Sequence, residues 1–497
     1  MRILLLWQEV SVANFCYLFL AQCRMELPSA ADIPTYHVGF LSPSPDSAIP
    51  AQLAVEWNSA FLVALEVLNS ERNSYQLEAV SLNSACDYQE AALASMKLSK
   101  KSGLIGVIGP ACSGAAISAS NTLLSYGIPI VSFAATASVL SSRSLFGNFF
   151  RTVYSDTYQA SAVAASVVKL NMTNVTLLYT KDYYSFSLAE RIGELCGSAI
   201  TRSELLEPGV NIPIDIKQLE TVLNSIERKE IVLLVVQPAV AEQIWKTATD
   251  LNMTGYPWWY FGTDGTTAFE PAVAEGKVAE RLVVALQGEI GLAPFDGDFS
   301  DSSACQKFYT HWKEKSYAGL PATDTNKSRS YVPYLIDTVT LFFEIVDALH
   351  GAAIEVNAST ILAALNGSGP GSPQFKGCTG VVQLDPDSGS RSVSPNQPAV
   401  YNLVSLLQDH WELKGRIENG TFTTLLPLTR PGTFSAAEQD LVTSDSILPS
   451  RSENRVLIAT ITILFTSVVL VAAALLYIHK KRRNAAKVYV ELVQESH

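Results

Sequence analysis

Short apolar runs recur along the chain and alternate with stretches whose apolar positions fall at helical spacing. Residues 36–41 form the first run. Residues 55–69 follow, with Trp57, Phe61, Ala64, Leu65 and Leu68 on one helical face. Residues 76–82 alternate as a strand and residues 88–101 as an amphipathic helix. Residues 104–109 are apolar and β-branched, and they end in Gly109-Pro-Ala-Cys-Ser-Gly114. A small-residue helical stretch covers 115–125. Residues 127–133 read as the next strand and end in Ala134-Ala-Thr-Ala-Ser138.

The alternation then repeats. Residues 149–154 are extended, and Ser155 and Asp156 can cap a helix that runs through residue 170. Strands are expected at 175–179, 230–237, 258–262 and 281–287, and helices at 187–198 and 239–251. Residues 180–185 read as a loop, and the strand at 258–262 ends in Thr263-Asp264-Gly265. Two runs of βα units, 36–133 and 175–287, predict an α/β protein with two doubly wound lobes. Helices near 331–349 and 359–365 and β-like segments at 381–384 and 400–407 come last. A late return of the chain to the first lobe fits these, giving lobe one as about 36–154 plus 330–431 and lobe two as about 155–300.

The stretch 104–136 is the richest in candidate chemistry. A buried strand that turns through glycine into a helix leaves the first helical N–H groups unpartnered. Together with the helix dipole they suit an anion, and a carboxylate serves as well as a phosphate. Ser113 and Thr136 add hydroxyls at neighbouring strand ends. An ordinary βα turn accounts for this stretch equally well.

Composition narrows the class. With 497 residues and 48% hydrophobic content, the chain can bury two cores. The net charge of −12, with no basic stripe before the C-terminal end, argues against a nucleic-acid partner. Residues 1–23 resemble a secretory signal peptide, although Gln8 and Glu9 interrupt its apolar core. Residues 456–478 are apolar apart from Thr and Ser, long enough for a transmembrane helix. His479-Lys-Lys-Arg-Arg483 follows and places the tail, 479–497, in the cytoplasm. Residues 432–454 read as an exposed stalk. The expectation is a single-pass type I plasma-membrane protein with an extracellular N-terminus. Sequons at Asn171, Asn174, Asn252, Asn326, Asn357, Asn366 and Asn419 all precede the span and agree with a glycoprotein ectodomain.

Cys16 and Cys23 fall in the signal segment. That leaves Cys86, Cys112, Cys196, Cys305 and Cys378, an odd number, in a compartment where disulfides form. No C-x-x-C pair and no His cluster suggests a metal. No Gly-x-Ser-x-Gly elbow, His-Glu-x-x-His or Walker loop appears, so neither an enzyme nor a cofactor is expected.

Val107-Ile-Gly-Pro-Ala-Cys-Ser-Gly114, Ile128-Pro-Ile-Val-Ser-Phe-Ala-Ala-Thr136, Phe149-Phe-Arg-Thr152 and Gln159-Ala160 resemble the ectodomain of class C G-protein-coupled receptors. These are the metabotropic glutamate and GABA-B receptors, and the resemblance runs from about residue 36 to residue 431. It implies a two-lobed, periplasmic-binding-protein-like "Venus flytrap" that closes on an amino-acid-like ligand. Ser113 then matches the serine that binds the ligand's α-carboxylate, and Thr136 the threonine that holds its α-amino group. Tyr184 matches the lobe-two tyrosine that covers the ligand, and Asp264 the aspartate that binds the ammonium. Ala134 stands where glutamate receptors carry a ligand-contacting serine, and residues 42–49 lack their arginine for a distal carboxylate. The resemblance pairs Cys86 with Cys112, and Cys305 with Cys378 is a second candidate pair.

The cysteine-rich domain and seven-helix bundle of those receptors have no counterpart in the sequence. The expected function is therefore a cell-surface receptor ectodomain that signals by lobe closure, in a truncated class C receptor or a genuine single-span protein. A single-span decoy, clearance or co-receptor protein of the natriuretic peptide receptor type is the alternative. The family resemblance also implies a homo- or heterodimer formed through lobe one.

Overall fold

The computed structural model describes residues 33–44, 49–209, 214–227, 230–255, 258–268, 282, 284–295, 303–315, 331–369, 374–407, 410–426 and 428. The expected signal peptide, stalk, transmembrane helix, tail and the sequon at Asn326 lie outside the described residues.

Five strands open the chain: β1 (Thr35–Ser42), β2 (Gln76–Asn83), β3 (Leu104–Ile108), β4 (Ile130–Ser132) and β5 (Phe149–Arg151). They form a wholly parallel sheet in the order β2-β1-β3-β4-β5. Helices α1 (Ala51–Ser70), α2 (Tyr88–Leu98) and α3 (Ser113–Leu124) connect them. The strand order turns back between β1 and β3, and a crevice opens at the carboxyl ends of strands at such a point.

The second sheet has eight strands in the order β15-β14-β13-β10-β9-β8-β6-β7. Its parallel part is β6 (Val175–Thr180), β7 (Ile200–Leu206), β8 (Ile231–Val235), β9 (Trp259–Gly262) and β10 (Ile290–Pro294). Helices α4 (Asp156–Lys169), α5 (Tyr183–Cys196), α6 (Ile216–Asn224), α7 (Pro238–Asp250) and the single turn α8 (Asp264–Thr267) belong with it. The side chains of Asp182 and Asp215 accept amide N–H groups from the first turns of α5 and α6, as N-caps do.

The chain then supplies α9 (Ser303–Lys315), α10 (Val332–Gly351) and α11 (Ala358–Leu365). Helices α9 and α10 pack on α1, and the short hairpin β11 (Phe375–Gly377) and β12 (Gly380–Val382) follows. Lobe one is held by aromatic packing, including Phe40 stacked on Phe61 at 4.0 Å between ring centroids. Disulfides join Cys86 to Cys112 and Cys305 to Cys378, with Cα atoms 5.4 and 5.0 Å apart. Cys196 is free and half-buried, and burial raises its thiol to about 11.

Two expectations are corrected. The assignment of residues 400–431 to lobe one fails for the described strands there. β13 (Val400–Leu407), β14 (His410–Glu418) and β15 (Thr421–Leu425) join the second sheet, with β13 antiparallel to β10. Tyr401, Leu403 and Ile417 are buried in one cluster with Ala160 and Val163 of α4, which outweighs proximity in sequence to α10 and α11. The strand expected at 281–287 is also displaced. Leu282 and Leu286 are spaced four apart and both buried, Leu286 N donates to Leu282 O, and the strand starts at Ile290. Leu282 and Leu286 thus follow a helical period rather than that of a strand.

One described helix, α1, is long and apolar enough to cross a membrane, but it is a core helix, with Ala60, Phe61, Val63 and Ala64 fully buried. Among the sequon asparagines, Asn171, Asn174, Asn252 and Asn419 are exposed at left-handed turn positions, which asparagine tolerates. Asn357 caps α11, and Asn366 accepts a hydrogen bond from Arg143; both are half-buried.

Candidate functional site

The lobe-one half of the site is built at the carboxyl ends of β3 and β4. Gly109 turns the chain at φ +87°, and a Cβ there would stand 2.5 Å from the Leu41 carbonyl oxygen, so glycine alone fits. Helix α3 starts four residues later with Ser113. The Ser113 hydroxyl accepts from Ala137 N at 3.1 Å, which leaves its own proton to donate. Ser132 sets the loop after β4: its hydroxyl accepts from Ala134 N and Ala135 N and donates to Pro110 O at 2.6 Å. The buried Arg151 donates to Ala135 O and Ala137 O at 3.1 and 3.0 Å. Thr136 is therefore held between two anchored neighbours. Burial lowers the Arg151 guanidinium to about 10, still well above neutrality.

The lobe-two half lies at the carboxyl ends of β6, β8 and β9. Residues 180–185, expected as a loop, contain the start of α5, because Asp182 accepts from Tyr184 N and Ser185 N at 3.1 and 3.2 Å. That cap fixes Tyr184 in the first helical turn. Its hydroxyl lies 2.8 Å from Thr263 Oγ1 and donates to Asp264 Oδ1. Gly265 N donates back to the Tyr184 oxygen at 3.3 Å. Burial, with the Asp264 charge added, raises Tyr184 well above the usual tyrosine value, so it remains a donor.

The two halves enclose a cavity of about 40 Å³. Ser113, Ala134 and Thr136 line it from lobe one, and Tyr184 and Asp264 from lobe two, so all five sequence-named residues converge. Ile49, Leu53 and Trp57 add an apolar wall from α1 and the segment before it. No basic side chain lines the cavity among the described residues. Among the described residues the only charged side chain on its wall is Asp264, and the polar donors are hydroxyls, the Gln237 amide and a helix N-terminus. Such a wall can hold a carboxylate at the Ser113 end and an ammonium at the Asp264 end.

Three participants escaped the sequence reading. Tyr331, which the pattern gave only as a helix start, precedes α10 at φ +67° and donates its hydroxyl to Asp264 Oδ2. Asp156 read as a helix cap with Ser155, but Ser155 alone does the capping. The Asp156 carboxylate is buried next to Thr136, and neither oxygen has a well-formed hydrogen bond among the described residues. Burial and then the charge of Asp264 raise its carboxyl well above the usual range, against the pull of Arg151 and the Thr136 hydroxyl. Gln237, at the end of β8, lines the cavity and donates to Asp182 at 3.3 Å. The signal for Tyr331 and Asp156 is tertiary: their partners lie 67 and 108 residues away in sequence.

A sequence profile of the receptor family ligand binding region matches residues 56–405. The chain belongs to this family. The match takes in strands of both sheets, from β2 into β13, and every residue named above for the cavity except Ile49 and Leu53. Among individual relatives, human metabotropic glutamate receptor 8 is 26% identical over 211 residues, 42% of this chain and 23% of the relative. Rat metabotropic glutamate receptor 4 is 28% identical over 213 residues, 41% of this chain and 23% of the relative. The chain thus spans about a quarter of the length of these receptors. Its α/β architecture of two parallel-stranded lobes is that of a periplasmic-binding-protein-like ectodomain, and it carries the family's ligand-binding region.

Proposed function

We propose that the chain is the ectodomain of a cell-surface receptor that binds a small amino-acid-like ligand between its lobes and signals by their closure. One observation carries this reading: a hydroxyl donor at the N-terminus of α3 and a carboxylate after β9 face one cavity from opposite lobes. A zwitterion bridges the two. Its carboxylate meets Ser113 and the α3 amides, and its ammonium meets Asp264 with Thr136 beside it. Only contacts made better in the closed arrangement drive closure, so Asp264 and Tyr184 are the switching residues and Ser113 mainly sets affinity. A second acidic group on the ligand would find no basic partner among the described residues that line the cavity, which argues against glutamate.

The same reading places the ectodomain outside the cell on a type I single-pass protein, with the exposed sequons Asn171, Asn174, Asn252 and Asn419 as glycan acceptors. Pairing through lobe one is supported by Leu93 and Met96 on α2 and Leu124 on α3, which are exposed on adjacent packed helices.

Thermal melting of the 36–431 fragment against a panel of amino acids and amino-acid-like amines tests the proposal. A raised melting temperature with a small neutral amino acid, lost in Ser113→Ala/Asp264→Asn, is the expected result. No shift with any member of the panel refutes it.

A further inference from the structure

Asp264 is claimed from both sides of the cleft. Tyr184, on Oδ1, comes from the same lobe. Tyr331, on Oδ2, comes from the other: it leads into α10, which packs on α1 in lobe one. Its backbone oxygen accepts from Leu335 N, and its ring, 6% exposed, lies 6.1 Å from that of Tyr334. The side chain is thus fixed by lobe one and reaches across to a lobe-two carboxylate. It does so from a left-handed backbone position, which is uncommon for a bulky residue and persists only where the surroundings hold it.

We propose that Tyr331 is a built-in latch that links the lobes through Asp264 and competes with the ligand's ammonium for that carboxylate, so that it restricts the site to small cationic-headed ligands. The competition, though not the latch, rests on the ligand reading above. Two features of the site support it. Both Asp264 oxygens already accept a tyrosine hydroxyl, so a ligand's ammonium gains full contact with either oxygen only as one hydroxyl withdraws. Tyr184 cannot easily be the one that withdraws, because Thr263 and Gly265 N also hold its oxygen. Tyr331 has no second hydroxyl contact among the described residues. A charged head group displaces a neutral phenol from a carboxylate because it adds the attraction between two full charges to the hydrogen bond. A neutral ligand gains no such advantage.

Tyr331→Phe removes the hydroxyl and keeps the ring in the core, so folding is preserved. In the full-length chain, fluorophores at Lys101 in lobe one and Lys217 in lobe two report the interlobe distance. With no amino acid added, Tyr331→Phe lengthens this distance relative to wild type; an unchanged distance overturns the latch. Titration with glycine, the smallest zwitterionic probe, reads the competition. Tyr331→Phe binds glycine about tenfold tighter, the scale of one hydrogen bond to a charged group. Equal or weaker binding overturns the competition. If glycine binds neither protein, the ligand reading and the competition fail together, while the distance still decides the latch.

Discussion

Asp156 and Asp264 stand within electrostatic reach of each other, and the two buried carboxylates are served in opposite ways. Asp264 accepts one tyrosine hydroxyl on each oxygen. Asp156, 1% exposed, has no well-formed hydrogen bond on either oxygen among the described residues and is served only by the nearby Thr136 hydroxyl and the Arg151 charge. The nearest opposing charge is the Arg151 guanidinium, which is committed to Ala135 O, Ala137 O and Ser390 Oγ. A buried carboxylate so poorly paired weakens the fold and is suited to receive a cation. The two consequences can be measured separately.

The first concerns stability. Folded Asp156 holds its proton more tightly than the unfolded chain, because burial and Asp264 raise its carboxyl; Arg151 and Asp182 are the other charges that act on it. Its stabilising contribution is complete below about pH 4, the unfolded value, and is lost as pH rises through the folded value. Asp156→Asn removes that loss. At pH 7, with no amino acid added, the variant is expected to melt above wild type, because its amide carries no charge to desolvate. Its melting temperature should also fall less steeply above pH 4. Calorimetric melts across a pH series read both effects, and an Asp156→Asn protein that melts earlier than wild type at pH 7 contradicts them.

The second concerns binding. An ammonium bound at Asp264, within electrostatic reach of Asp156, favours the charged form of Asp156, so binding expels a proton. Affinity for a zwitterionic ligand should rise with pH through the interval in which wild type loses stability. Titrations in two buffers of different ionisation enthalpy count the proton released. Zero release would remove Asp156 from the site.

Gly265 gives a steric test. A Cβ at this position would stand 2.3 Å from Val236 O and 3.3 Å from the Tyr184 hydroxyl. Gly265→Ala must push β8 away from the turn that presents Asp264. The expected cost is about 1–3 kcal/mol of stability, as for other overpacked sites, with ligand binding lost as well. Retained binding with unchanged stability would show that the turn yields freely.

The disulfides should separate stability from binding. Cys305–Cys378 closes 73 residues, and neither cysteine lines the cavity. Replacing both cysteines by serine should cost about 4 kcal/mol and leave affinity intact in the folded fraction. Cys86–Cys112 closes 26 residues and ends beside Ser113, on the cavity wall. Its removal should cost about 3 kcal/mol and weaken binding too. Denaturant melts paired with ligand titration distinguish the two, and equal loss of affinity in both variants contradicts the assignment.

Much of this site was legible from local pattern. The glycine-turned unit around Gly109 could be read in sequence as a candidate anion site, because the turn, the helix start and Ser113 all lie within five residues, but an ordinary βα turn fitted equally well until the family resemblance singled out Ser113. Asp264 follows an apolar strand, where an Asp-Gly pair reads as a turn, and only the family resemblance marked it as a ligand contact. Ala134 and Thr136 were reached through neighbouring motifs that the chain keeps close together. Tyr331 and Asp156 were not legible, because a helix start looks the same whether or not its side chain crosses a cleft. The lobe assignment of residues 400–425 failed for a related reason. Alternation identified β13 as a strand, but its choice of β10 as partner depends on burial of Tyr401 and Leu403 against α4. The strand expected at 281–287 failed locally, where too few residues were available to tell a period of two from one of 3.6.

The central claim is that one zwitterion is held head and tail by residues from opposite lobes, and a charge-matched titration tests it most directly. Glycine, methylamine and acetate are titrated against wild type, Ser113→Ala and Asp264→Asn. The account predicts that glycine loses at least about tenfold in affinity in each variant, the scale of one charge-assisted hydrogen bond. It further predicts that methylamine is sensitive only to Asp264→Asn and acetate only to Ser113→Ala. The reverse pattern, or glycine binding indifferent to both substitutions, would contradict it.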